Sequence, residues 1–285
     1  MVTGELVTID GAAAYRIVGV EEMEPFLVTV VSDGDLWMYA SSTGPLTAGR
    51  RDADHSLFPY VTDDKIHRAA GHVGPVSVIA RVVDGHRRLW RPFHAELTPR
   101  CTRSLAKSLI GDRLVVEEHH RDWALRFRAT WAPSTTYGWV RTVELIDEGG
   151  GVDLEVLDGL LDVQPAGVDA HTSQIRSNLV NAYKRSEVGP WGPLAIYNLE
   201  SLVTDRAEPA EALTATTVWS WGFDGAEPNL DARSVASMLD GRPARAADLL
   251  TGRPGSYLLR GPVSVPAGGR VSWSIVADTG LDQAA

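Results

Sequence analysis

The sequence predicts an all-β fold: a large antiparallel sandwich of two stacked sheets with one or two short helices. Three observations carry this expectation. Apolar and polar residues alternate with period two in one segment after another, turn residues separate those segments, and only two stretches have helical spacing.

The clearest strand is "WALRFRATW". Trp123, Leu125, Phe127, Ala129 and Trp131 fall on one face, and Arg126, Arg128 and Thr130 on the other. Its expected hairpin partner is "DRLVVEEHH", joined through a turn near Arg121 and Asp122. Upstream, "VSVIARVV" and "RRLWRPF" flank Asp84–Gly85, a dipeptide that supplies the positive φ of a tight hairpin turn. "WVRTVELI", the glycines at 149–151 and "VDLEVLDGLLDV" predict a third hairpin. "LAIYNLESLV", "ALTATTVWSWGF", "GSYLLRGPVSV" and "RVSWSIVAD" add strands rich in β-branched and aromatic residues. The first helical stretch is "TSQIRSNLVNAYKRSE", with Ile175, Leu179, Ala182 and Tyr183 on one side. The second is "DARSVASMLDG", where Asp231 can cap the start and Gly241 the end. No linker divides the chain, so one domain over 1–285 is expected.

Composition narrows the function. Apolar residues at 44% and charged residues at 22% are those of a globular protein. The net charge is −10 and the basic residues are scattered, which argues against a nucleic-acid partner. Apolar runs such as "FLVTVV" are too short to cross a bilayer, and "MVTGELVTIDG" has neither the basic flank nor the apolar core of an export signal. The single cysteine, Cys101, excludes an internal disulfide and a multi-cysteine zinc site; a cytoplasmic setting is expected, with Cys101 a small side chain and not a nucleophile. Nine tryptophans fit core filling and sugar stacking equally well.

Motifs of known chemistry do not complete themselves. His119 and His120 are neighbours on a strand, point to opposite faces and cannot share a metal. "RRDADHSLFPYVTDD" resembles a calcium loop, but Leu57 and Asp63 stand where the glycine and the bidentate glutamate belong. No glycine-rich phosphate loop and no G-x-S-x-G elbow is present, so no metal or cofactor is expected. Carboxylate pairs are recognised by their separation in space, so no catalytic residue is assigned.

The candidate site is "DLWMYASSTGPLTAGRRDADHSLFPYVTDDKI", read as a strand that becomes a long loop. Leu36, Met38 and Ala40 alternate with Trp37, Tyr39 and Ser41, and Gly44, Pro45 and Gly49 punctuate the turn beyond them. Arg50 and Arg51 suit forked hydrogen bonds to carboxylates, sugar hydroxyls or phosphate. Asp63, Asp64 and Lys65 add compact donors and acceptors, and Phe58 and Tyr60 add stacking faces. The sugar-binding candidates are therefore Trp37, Arg50, Arg51, Asp63, Asp64 and Lys65. A second reading stays open: the arginines pair with local aspartates to order the loop, and Phe58 and Tyr60 fasten it to the sheet.

The order of segments also resembles a known family. "PFLVTVVSDGDLWMYASSTGPLTAGRRDADHSLFPYVTDDKI", "RLWRPF", "VLDGLLDVQPAGV", "SNLVNAYKRSE" and "EALTATTVWSWG" are similar to the N-terminal domain of cellobiose and chitobiose phosphorylase relatives, glycoside hydrolase family 94. The resemblance covers residues 25–280, with 1–24 as a lead-in and 281–285 as the start of a linker missing from this chain. It implies a β-supersandwich of the galactose-mutarotase-like type that adds loops to a sugar cleft and to a homodimer interface. It also implies a helical (α/α)6 catalytic domain, absent here, as the partner that supplies the catalytic acid and the phosphate site. On that resemblance this chain is a carbohydrate-binding accessory domain, not catalytic alone. Two alternatives accompany it. One is a stand-alone aldose epimerase with His55 as acid, His171 as a second histidine and Glu208 as base. The other is a purely structural dimerisation domain.

Overall fold

A computed structural model describes residues 1–190, 192–203 and 212–282, with only the backbone described at Asp63 and Asp64. In chain order the first strands are β1 (Thr3–Ile9), β2 (Ala12–Val18), β3 (Leu27–Val30), β4 (Leu36–Ser41), β5 (Leu46–Arg50) and β6 (Gly74–Val83). Next come β7 (His86–Trp90), β8 (Cys101–Ser108), β9 (Leu114–His120), β10 (Leu125–Ser134), β11 (Gly138–Asp147) and β12 (Val152–Val163). Helices α1 (Ala170–Ile175) and α2 (Ser177–Tyr183) precede β13 (Lys184–Val188), β14 (Ala195–Leu199) and β15 (Ala215–Trp221). Helix α3 (Arg233–Leu239), β16 (Leu249–Thr251), β17 (Gly255–Val265) and β18 (Arg270–Leu281) complete the described elements.

These strands make an all-β, sandwich-like fold. Eleven of them form one sheet in the order β1-β2-β8-β9-β10-β11-β18-β15-β14-β13-β16, and two smaller sheets have the orders β17-β12-β6-β7 and β3-β4-β5. All strand pairs among the described residues are antiparallel. One apolar cluster joins the three sheets. Leu125, Phe127, Trp139, Val143 and Ile275 of the large sheet meet Met38 and Ala48 of the smallest and Ile79, Leu160 and Tyr257 of the third. The alternation that predicted the strand at 123–131 is the reason. Its five apolar residues are all buried, Trp123 from a 3₁₀ turn and the rest from β10.

The structure differs from the sequence reading at several elements. β11 and β12 do not form a hairpin: β11 pairs with β10 and β18, whereas β12 pairs with β6 and β17. β12 is buried on both faces, with Leu154, Val156 and Leu160 in the main core and Leu157 and Leu161 in a second cluster under Met238 of α3. The glycines at 149–151 therefore carry the chain from the large sheet to the four-stranded one. The first helical stretch breaks at Arg176, whose φ of −122° leaves the helical region, and Lys184 onward is extended as β13. With α3, the described residues hold three short α-helices. Residues expected as a lead-in form the β1–β2 hairpin at one edge of the large sheet.

Two ion pairs are sealed inside. Arg141 forks onto Asp158 at 2.7 and 3.0 Å, and Asp158 also accepts from Ser77 Oγ and Trp273 Nε1. Arg103 donates to Glu118 at 2.6 Å, and Glu118 accepts in addition from Trp90 Nε1 and the Phe93 N–H. Buried charges persist only with this density of partners. Among the described residues, no helix is long and apolar enough to cross a membrane.

Candidate functional site

Most of the predicted loop is ordered by pairing. Leu46–Arg50 is strand β5, antiparallel to β4, with Leu36 opposite Arg50 and Trp37 opposite Gly49. The chain then reverses at Arg51, whose φ of +55° is uncommon for a side-chain-bearing residue, and a 3₁₀ turn at Ala53–His55 comes next. That turn lies directly on β5 because Gly49 has no side chain. A Cβ there would stand 2.1 Å from the His55 carbonyl oxygen and 2.9 Å from Trp37.

The turn, the ends of β5 and β18 and the 165–169 segment enclose a cleft of about 530 Å³. Its charged lining is Asp35, Arg50, Arg51, Asp54, His55 and Asp169, with Thr214 and Thr279 also in the wall. Arg50 is fully committed. Its Nε and Nη2 fork onto Asp278 at 2.6 and 2.7 Å, and Nη1 donates to Asp35 at 2.6 Å. Hydrogen bonding to Asp278 raises the guanidinium's already high pKa, so Arg50 is a permanent cation. Arg51 is the contrary case: 67% exposed, with Asp35 as its ion-pair partner only at 3.9 Å. Its fork is free to meet a ligand.

His55 completes the turn. Its Nδ1 lies 2.7 Å from Asp52 Oδ1, which holds the Asp52 carboxyl below the usual carboxylate range. Because Nδ1–H is donated to the Asp52 carboxylate, the other nitrogen of the neutral ring, Nε2, which has no partner among the described residues, is left as an acceptor for a bound hydroxyl. Asp54 Oδ1 accepts the Ala170 N–H at 2.9 Å and so ties the turn to α1. Asp169 caps the same helix through Thr172.

The sequence-predicted residues separate into four groups. Arg50 and Arg51 line the cleft. Trp37 supports it from behind: its Nε1 donates to the Asp52 carbonyl at 3.1 Å, and its ring packs near Tyr39 and Tyr60 at 6.0 and 6.1 Å. Lys65 is exposed on a 3₁₀ segment, Asp63–Ala69, and is not part of the cleft. The side chains of Asp63 and Asp64 lie outside the described residues, as does Glu208. His171 is exposed near the start of α1 and does not line the cleft. Phe58 is fully buried and Tyr60 partly so, as the loop-ordering reading expected. Burial pushes the Cys101 thiol up, away from nucleophile chemistry.

Sequence reasoning missed Asp35, Asp54, Asp169, Thr214, Thr279 and Asp278. Asp278 is 228 residues from Arg50, and no local pattern joins them. Asp54 and Asp35 were visible in the same stretch, but their aim depends on the turn that Gly49 admits.

No family model matches this chain, and no curated protein matches it either. Solved structures do. A polysaccharide lyase matches with a TM-score of 0.43 and 10% identity, over 89% of this chain and 32% of its own. A heparan sulfate lyase from Pedobacter heparinus matches with a TM-score of 0.37 and 8% identity, over 100% of this chain and 36% of its own. A 4-alpha-glucanotransferase from Thermococcus litoralis matches with a TM-score of 0.34 and 8% identity, over 97% and 39%. The chain thus spans about a third of the length of these structures.

Proposed function

We propose that this chain is a carbohydrate-binding accessory domain whose ligand site is the Arg51–His55 cleft. The observation that supports it most is the division of labour between the two arginines. Arg50 is bonded to three carboxylate oxygens and shapes the wall, while Arg51 and His55 present unused hydrogen-bonding capacity to a cleft of about 530 Å³. Donors and acceptors of both kinds, close together and half-exposed, suit a polyhydroxylated ligand better than an apolar one. The finer reading draws on the segments that resemble glycoside hydrolase family 94. In it the cleft forms one side of a sugar site, and a helical catalytic domain supplies the acid and the phosphate contacts.

The test separates the arginines. Isothermal titration with glucose, galactose and cellobiose should give saturable binding to at least one sugar. Arg51→Ala should weaken that binding about tenfold with an unchanged melting temperature, as expected for loss of one exposed fork. Equal binding by Arg51→Ala and the parent, or no binding of any of the three sugars, defeats the cleft assignment.

A further inference from the structure

The outer face of the large sheet carries aromatic rings that neither the core nor the cleft uses. On β15, Thr216, Val218 and Ser220 face inward and are buried, so Thr217, Trp219 and Trp221 face outward. Trp221 is 49% exposed, and Tyr137, at the β10–β11 turn, is 56% exposed. The rings form a continuous strip: Tyr137 meets Trp219 edge-on at 6.1 Å, and Trp219 lies 5.2 Å from Trp221 with planes 34° apart. Three large rings in line on a solvent-facing sheet are unusual unless something covers them.

The register shows what lies beside the strip. Trp221 is opposite Ser274 and Trp219 opposite Val276 on β18. These continue to Thr142 and Val140 on β11, and then to Thr130 and Ala132 on β10. All six are small, and none is charged. Ser274 and Val276 are buried, so the open part of this stretch is the partly exposed Thr130, Ala132, Val140 and Thr142; the Thr142 hydroxyl also bonds Ser274 Oγ at 2.9 Å. Charge resumes at both ends. One end has the Arg128–Glu144 pair. The other has Thr217 opposite Asp278, the residue that holds Arg50 at the cleft.

We infer that Tyr137, Trp219 and Trp221 form a platform for a neutral oligosaccharide chain that continues out of the cleft. The inference rests on the carbohydrate reading of the cleft for its ligand class and extends it from one sugar unit to a chain. Three features select that occupant. Flat indole and phenol faces match the apolar C–H face of a sugar ring, whose edge hydrogens meet the negative face of the aromatic. The partly exposed Thr130 and Thr142 hydroxyls beside the rings match the hydroxyl rim. The uncharged stretch between two charged ends leaves ionic groups on the ligand without a counter-charge.

The experiment uses the 285-residue chain, with cellohexaose, maltohexaose and xylohexaose and their disaccharides as probes. Intrinsic tryptophan fluorescence and calorimetry follow binding. A hexasaccharide should bind at least tenfold more tightly than its disaccharide, and Trp221→Ala and Tyr137→Ala should each remove most of that gain. Both side chains are about half exposed, so melting temperatures should change little; Trp221→Tyr, which keeps a flat ring, should retain part of the gain. Arg51→Ala should instead weaken disaccharide and hexasaccharide alike. Disaccharide binding with no gain on lengthening, or a gain untouched by Trp221→Ala, overturns the platform and leaves the cleft reading standing. Self-association in sedimentation equilibrium that Trp221→Ala abolishes also overturns it, because a second copy then covers the strip. If no saccharide binds, both readings fall.

Discussion

Two arginine–aspartate pairs, Arg141–Asp158 and Arg50–Asp278, are both two-point forks, through Nη1 and Nη2 of Arg141 and through Nε and Nη2 of Arg50, and they have different surroundings. Arg141 and Asp158 are both sealed, and the spare capacity of the carboxylate goes to Ser77 and Trp273. Asp278 is nearly as buried, at 5% exposure, but Arg50 is 19% exposed and reaches on to Asp35 at the cleft wall. One pair ties two layers of the sandwich together, since Arg141 is on β11 of the large sheet and Asp158 on β12 of the four-stranded one. The other joins the end of β18 to the strand from which the cleft turn departs. A charge pair supports folding where its environment is closed, and supports a site where one partner is left at the rim.

The largest expected effect breaks the closed pair. Asp158→Asn leaves the Arg141 guanidinium buried without its counter-ion, which should cost about 3–5 kcal/mol in urea unfolding. Replacing both partners, as Arg141→Met with Asp158→Leu, should recover a large part of that loss, because the stranded charge is gone. An additive result in the double variant would mean that the pair itself, and not the orphaned charge, sets the penalty.

Arg50→Met should fall below this, at about 1–3 kcal/mol, because water entering from the cleft can solvate Asp278 once its partner is gone. It should also weaken sugar binding indirectly, by releasing Asp35 and the turn beyond it. A loss as large as that of Asp158→Asn would show that the rim pair is as closed as the core one.

The same contrast explains what is legible in the sequence. Strand alternation is local, so the apolar face from Trp123 through β10 to Trp131 can be read, and so can the opposite orientations of His119 and His120 on β9. His120 stacks on Trp123 at 4.6 Å inside, while His119 meets Glu148 at 3.1 Å outside. Layer assignment is not local. The triple glycine reads the same whether it turns a hairpin or crosses between sheets, and only the pairing of β12 with the distant β6 and β17 distinguishes them. At the site, the Arg50–Arg51 pair is visible but its split roles are not, since they depend on Asp278 at the far end of the chain. Trp37 has the composition of a stacking face; its bond to the Asp52 carbonyl makes it a support.

Asp147 is a carboxylate held by backbone N–H groups in place of an arginine fork. At the crossing between β11 and β12 its Oδ2 accepts the N–H groups of Gly149, Gly151 and Gly268, each at 3.0 Å. These bonds, that from Gly268 foremost, hold its pKa below the ordinary value of 3.8. A depressed folded-state pKa means that the ionised form stabilises the fold at every pH above the unfolded value. That contribution is lost as pH falls from about 3.8 through the lower folded-state value. Asp147→Asn keeps one acceptor but no charge, so it should cost about 1–2 kcal/mol at neutral pH. The difference between parent and variant should stay constant down to about pH 5 and then shrink as the parent's carboxyl becomes neutral. Urea unfolding of the two proteins from pH 7 to pH 3 measures it. A gap that persists undiminished at the acid end would mean that the geometry of the crossing, and not the charge at its centre, is what Asp147 supplies.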